Sequence, residues 1–328
     1  RWTAAGSSAE ATVTSPAGSE RARRLYQGAE ESLPEIYPSF SLEALGGGYL
    51  HDSLVVTHPE GRSVYKALNT ALEEFAAPPI AEIVANTRSA GETGVGARVI
   101  AEFPAVPAVL LEYVDGEPLE IEDVRSPETL VRVVDAARKL HETAAPFASR
   151  FDGFEWFDRW RSLCLQRGYE EPTEGAVLAA GMERIRAALS ADRPAQVPCH
   201  GDLLPGNILD TVAGIRLIDY DYAGMAEPAW DLGGIAAENA LSEELVELAC
   251  RRYWGEAAGA REQARVRAYA VVLHIALGQL VWALRGAIPD LLPDEVWAAL
   301  VAEFEERWSI AEAALADPGF EAVLEAAQ

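Results

Sequence analysis

The chain has 328 residues, 49% of them hydrophobic, and a formal net charge of −25 from 27 basic and 52 acidic side chains. That length can bury a sizeable core in two lobes and that hydrophobic content excludes a disordered chain. The charge repels nucleic acid and anionic membranes and attracts cations.

The three cysteines, Cys164, Cys199 and Cys250, are scattered and odd in number, so they form no disulfide framework and no paired metal-ligand motif; a reducing cytoplasm is the expected setting. Residues 1–24 are assigned to a flexible tail, because the first twenty are small and polar and lack the apolar core of a signal peptide. A helical pattern begins within it, at Glu20, and runs to Leu33. Three glycines, Gly46, Gly47 and Gly48, precede two β-rich runs, Leu54 to Thr57 and Ser63 to Ala67, joined by the turn-forming stretch His58-Pro59-Glu60-Gly61-Arg62. Ala81 to Ser89 is predicted helical, and Ala97 to Phe103 and Val109 to Val114 are predicted strands. Residues 25–114 therefore read as a small, mostly β lobe.

A boundary near Val114-Asp115-Gly116 opens a helical lobe over residues 115–328. Ser126 and Pro127 form a helix start, followed by Leu130, Val131, Val133, Val134, Ala137 and Leu140 at helical spacing. Further helices are predicted over Glu174 to Ala191, Ser242 to Trp254, Arg261 to Ala287 and Pro293 to Ala314. The apolar run Ala268 to Leu284 approaches the length of a membrane span, yet it contains His274, Gly278 and Gln279 between Arg267 and Arg285. It reads as the buried helix of a soluble lobe.

One stretch interrupts the helices: CHGDLLPGNILDTVAGIRLIDYDY, from Cys199 to Tyr222. Unpaired carboxylates in an apolar setting are costly, so either these are solvated loop residues or a cation sits among them. A hairpin with Leu209 opposite Ile215 puts Asn207 opposite Leu217, and so brings Asn207 and Asp219 to one open end. Asp202 lies on the loop just before it. Oxygen donors converging in this way suit Mg²⁺. The order His-x-Asp, Asn five residues later, hairpin, second Asp is a phosphoryl-transfer pattern. In it Asp202 accepts the proton of an attacking hydroxyl, and Asn207 and Asp219 hold the metal.

These residues, with Pro228-Ala229-Trp230-Asp231-Leu232 and the pair Leu140-His141, resemble the aminoglycoside phosphotransferase and choline kinase superfamily. The resemblance spans residues 46–234. It implies an α+β, bilobal protein-kinase-like fold, ATP or GTP, Mg²⁺, and a small-molecule hydroxyl as acceptor. It also implies that Asp231 braces the catalytic loop, that Gly46, Gly47 and Gly48 approach the phosphates, and that Lys66 steadies them. Glu82 is the expected partner of Lys66, with Glu73 and Glu74 as alternatives. Leu111, Glu112 and Tyr113 would form the hinge touching the base. The family often has an Asn soon after the glycines, where this chain has His51 and Asp52. The acceptor is expected against Asp221, Tyr222, Glu238 and Trp282. Trp282 matches the first position of the choline kinase Trp-x-x-Trp pair, and Arg285 stands at the second. A cation there disfavours a quaternary ammonium. The favoured acceptor is an antibiotic or related natural product, as in self-resistance; choline, ethanolamine or thiamine is the alternative. A non-catalytic nucleotide-binding module is disfavoured because Lys66, Asp202, Asn207 and Asp219 are all present.

Overall fold

Alternating side chains build the first part of the molecule. The computed structural model describes residues 20–46, 50–72, 78–169, 172–192, 194–256, 258–288 and 291–328. Helix α1 (Glu20–Ser32) leads into strands β1 (Ser41–Leu45), β2 (Asp52–His58) and β3 (Gly61–Ala67). Helix α2 (Ile80–Glu92) and strands β4 (Val99–Phe103) and β5 (Ala108–Glu112) follow. The five strands form one antiparallel sheet in the order β1-β2-β3-β5-β4. Leu54, Val56, Tyr65 and Leu110 point from it into a core closed by Leu25, Ala29, Leu33 and Tyr37. Because strand side chains alternate, Lys66 points to the opposite face from Tyr65. The helix includes residues 20–24, which the sequence reading had placed in the tail.

Short strand β6 (Glu117–Pro118) and helix α3 (Ile121–Val124) lead to α4 (Pro127–Thr143), α5 (Gly153–Gln166) and α6 (Gly175–Ser190). Strands β7 (Val197–Cys199), β8 (Ile208–Thr211), β9 (Gly214–Leu217) and β10 (Gly224–Ala226) carry the quoted stretch. Helices α7 (Pro228–Glu238), α8 (Glu243–Trp254), α9 (Ala260–Ala287), α10 (Asp294–Ala316) and α11 (Pro318–Ala327) complete the chain. Ser126 stands at the N-cap of α4, but its hydroxyl makes no capping bond; the Ser242 hydroxyl does cap α8.

Among the described residues, α9 is the one helix long and apolar enough to cross a membrane. Here it is the axis of the large lobe, packed by α5, α7, α10 and α11, with Val272, Ile275 and Ala268 fully enclosed. The architecture is kinase-like, a β-sheet region followed by a mostly helical one. Arg21 of α1 fastens the two at one edge, bonding Asp52 at 2.5 Å and the Leu291 carbonyl at 3.0 Å.

Candidate active site

The stretch from Cys199 to Asp231 folds into a closed ring. At one end β8 and β9 form a hairpin with Leu209 opposite Arg216 and Ile208 opposite Leu217. This corrects the sequence-derived register by one residue. The strands continue through Asp210 and Thr211, so the turn shrinks to Val212-Ala213, with the Thr211 hydroxyl bonding the Gly214 carbonyl. Asn207 then lies beside Ile218, whose N–H donates to the Asn207 carbonyl at 3.0 Å. At the other end β7 pairs with β10, placing Cys199 opposite Gly224. The two loops between these ends, residues 200–207 and 218–223, are thus fixed at both sides.

Inside the ring, Asp231 is fully buried and receives three donors. The backbone N–H groups of His200 and Gly201 donate to it at 2.8 and 2.9 Å, and His141 Nε2 lies 2.9 Å away. Burial alone would raise this carboxyl, but the His141 hydrogen bond and charge, with the Gly201 amide, hold it below the usual range. Trp230 Nε1 donates to the Gly201 carbonyl at 3.1 Å. Gly201 has φ of +86°, and a Cβ there would sit 2.3 Å from the Tyr222 carbonyl oxygen, so only glycine fits. His200 donates through Nε2 to the Ile218 carbonyl at 2.9 Å, tying the loops together. This scaffold delivers Asp202 to the cleft.

Asn207 donates its amide nitrogen to the Asp202 carbonyl at 2.9 Å and to Asp202 Oδ2 at 3.2 Å, which turns its amide oxygen outward. Asp219 adopts a left-handed backbone, φ +70°. Lys66 Nζ reaches across from β3 to Asp219 Oδ1 at 2.7 Å and Asp221 Oδ1 at 2.6 Å. Burial would lower the Lys66 pKa, but the two carboxylates reverse this and raise it. Burial, then the neighbouring charges of Glu238 and Asp219, push Asp202 up to about 7. Burial and Asp219 likewise raise Asp221, while Lys66 keeps Asp219 low. The exposed-to-cleft donors are all oxygen, and the carboxylates oppose one another's ionisation. Both facts fit a hard divalent cation held by Asn207 and Asp219.

The expected Lys66–Glu82 ion pair is not formed. Lys66 is taken by the two aspartates of the other lobe, and Glu82 lies half-buried in the first turn of α2. Glu73, Glu74, Gly47 and Gly48 lie outside the described residues; Gly46 ends β1's exit, with open space around it. His51 packs beneath Lys66, with Nε2 3.4 Å from Asp221 Oδ2, and burial followed by the Lys66 charge pushes it down to about 3. Leu111 sits within β5, paired between Val64 and Val99. The Glu112 carboxylate bonds Arg216 of the hairpin at 3.1 Å, and Tyr113 carries the Arg62 guanidinium 3.9 Å over its ring.

Among the residues expected to meet the acceptor, the Tyr222 hydroxyl is buried without a partner. Glu238, at the end of α7, is bound by Arg307 of α10 through two bonds of 3.0 and 2.9 Å. Trp282 is half-buried and Arg285 is exposed. Arg285 stands on the next turn of α9 after Trp282.

Residues 40–270 match the sequence profile of the phosphotransferase enzyme family. The chain belongs to that family. A choline/ethanolamine kinase family protein from Mesorhizobium loti superposes with a TM-score of 0.77 at 25% identity, covering 92% of this chain and 99% of that one. Ethanolamine kinase 2 of Rattus norvegicus is 31% identical over 202 residues, 55% of this chain and 52% of that protein. A spectinomycin phosphotransferase, solved with ADP and spectinomycin, shares the fold at 15% identity with a TM-score of 0.59, covering 88% of this chain and 97% of that one. The chain spans 33% to 52% of the length of the curated relatives it matches.

Within this phosphotransferase family framework the sequence reading missed Arg307, Glu303 and His274. Glu303 and Arg307 are an i,i+4 pair in an acidic helix, bonded at 2.7 Å, and such pairs ordinarily face solvent. The available signal was a lone arginine among glutamates in an otherwise apolar amphipathic helix.

Proposed function

We propose that the chain is a small-molecule kinase that transfers the γ-phosphoryl group of ATP or GTP, with Mg²⁺, to the hydroxyl of a small amino alcohol. The carrying observation is the meeting of Asp202, Asn207, Asp219 and Lys66, from two lobes, at one hairpin end. Asp202 would orient the acceptor hydroxyl and take its proton, a role suited to a carboxyl raised to about 7. Lys66 would exchange its aspartate partners for nucleotide phosphate oxygens. Asn207 and Asp219 would hold Mg²⁺, which supplies charge neutralisation at the phosphates.

The acceptor class rests on two supports. Arg285 is exposed rather than enclosed, which weakens the argument for a larger natural product that rested on a cation in the pocket wall. The phosphotransferases of greater likeness named above are choline/ethanolamine kinase relatives. The test is nucleoside diphosphate release by the purified chain over amino alcohols, thiamine and aminoglycosides. The reading expects turnover with an amino alcohol; turnover confined to an aminoglycoside would replace it with the antibiotic reading.

A further inference from the structure

Beside Asp202 the large lobe holds a charge cluster that phosphoryl transfer itself does not use. Arg307 donates through Nη1 and Nη2 to both oxygens of Glu238, and through Nε and Nη2 to Glu303 Oε1 at 2.9 and 2.7 Å. The Arg307 side chain is 14% exposed and that of Glu238 8%. Two carboxylates against one guanidinium leave the cluster net negative. It lies within the field of Asp202, whose ionisation Glu238 opposes and Arg307 favours.

Two neutral polar groups without a hydrogen-bond partner feel the charge of Asp202 or of Arg307. One is the buried Tyr222 hydroxyl, close enough to Asp202 to feel its charge. The other is His274 Nδ1 on α9, in a side chain only 8% exposed. Burial, then the Arg307 charge, push His274 down to about 4, so it is neutral at pH 7. Protonated at Nε2, its Nδ1 is a hydrogen-bond acceptor.

We infer that this Arg307 clamp makes the acceptor site selective for an amino alcohol bearing a primary ammonium over one bearing a quaternary ammonium. The inference rests on the amino-alcohol reading above. A primary ammonium carries three N–H donors. The outer lone pairs of Glu238, the Tyr222 hydroxyl and His274 Nδ1 supply acceptors, and Arg307 fixes the direction in which Glu238 offers its own. A trimethylammonium has no donor and would leave those buried groups unpaired. It depends instead on aromatic faces. Trp282 is one, and the next turn of α9 offers the exposed Arg285 rather than a second. Arg307 acts here as a positioning residue, through Glu238.

The experiment measures kcat and KM of the full chain with Mg-ATP for ethanolamine, N-methylethanolamine, N,N-dimethylethanolamine and choline. In the wild type kcat/KM should fall stepwise as N–H groups are lost, by at least about 100-fold overall, mostly through KM, since a site built to bond donors rejects analogues lacking them. Arg307→Gln should raise KM for ethanolamine about tenfold, more than it lowers kcat, and should narrow the span of the series to about tenfold or less. Arg307→Lys should recover part of the discrimination. Wild-type preference for choline, or an undiminished span in Arg307→Gln, would overturn the inference while leaving the amino-alcohol reading standing. No turnover with any of the four, beside turnover of another alcohol, would defeat that reading and the inference with it. Should Arg307→Gln fail to fold, the wild-type series decides alone.

Discussion

On the phosphate side of the cleft, the groups from Cys199 to Asp231 belong to one short stretch and fix one another through backbone bonds. Each buried polar atom of Asp231 has a donor, and Gly201 exists because nothing larger fits under Tyr222. On the acceptor side, Glu238, His274 and Arg307 come from three helices far apart in sequence. There Arg307 bridges two carboxylates, which leaves the cluster net negative, and hydroxyl and imidazole atoms nearby have no partner. In the first region the central Asp231 carboxylate is fully satisfied, while the Tyr220 hydroxyl beside it has no partner. Polar groups left unpaired in a buried site are where an absent partner shows its chemistry.

The largest expected effect falls on the first region. Asp202→Ala should lower kcat by about 10³-fold, within the usual range for a general base, while leaving nucleotide affinity nearly intact. Steady-state kinetics beside nucleotide titration would check it; turnover close to wild type would remove Asp202 from the chemistry. Asp231→Ala should cost about 3–5 kcal/mol in denaturant unfolding, since it strands two backbone donors and His141 around a void. A loss below about 1 kcal/mol would mean that the ring does not depend on its centre.

The next effect probes the second region through pH. His274 goes from 6.5 when unfolded to about 4 in the fold, so the unfolded chain binds the extra proton between those values. Its contribution is intact above pH 6.5 and is lost as pH falls towards 4, by roughly 3 kcal/mol in all. His274→Phe should flatten that part of the stability profile relative to wild type; parallel profiles would exclude a buried neutral imidazole. The smallest effect is expected at Arg285. Being exposed, Arg285→Ala should change kcat/KM by less than about twofold, as surface substitutions usually do. A tenfold change would bring that guanidinium into the pocket.

How far sequence could be read follows the same division. His200, Asp202, Asn207 and Asp219 declare themselves because a hairpin confines them within twenty positions, and local geometry forces their meeting. Even so, the register slipped by one, since Thr211 can extend a strand as readily as begin a turn. Four of the five small-lobe strands followed from β-rich runs and turn chemistry and most long helices from their spacing, but β1, whose side chains are mostly exposed, and α5 were not foreseen. Lys66 was legible as a cation, but its partners were not: Asp219 and Asp221 lie more than 150 positions away. Arg307 was invisible because its partner Glu238 lies on another helix, 69 positions away. Spacing along a helix tells which residues share a face, and only packing tells which face looks into the cleft.

The hairpin has a mechanical side as well. Its second strand also holds the segment before β4: the Leu217 N–H donates to the Val95 carbonyl at 3.0 Å, and Arg216 holds the Val95 and Gly96 carbonyls and the Glu112 carboxylate. The small sheet is therefore pinned to the same ribbon that carries Asn207 and Asp219. In the frame of the large lobe Asp202 is stationary, locked by the ring. An opening of the cleft would pivot at residues 95–96, with the β-sheet as the lever arm and Lys66 on the part that swings. In such an opening the aspartate would stay as the anvil and the lysine would travel.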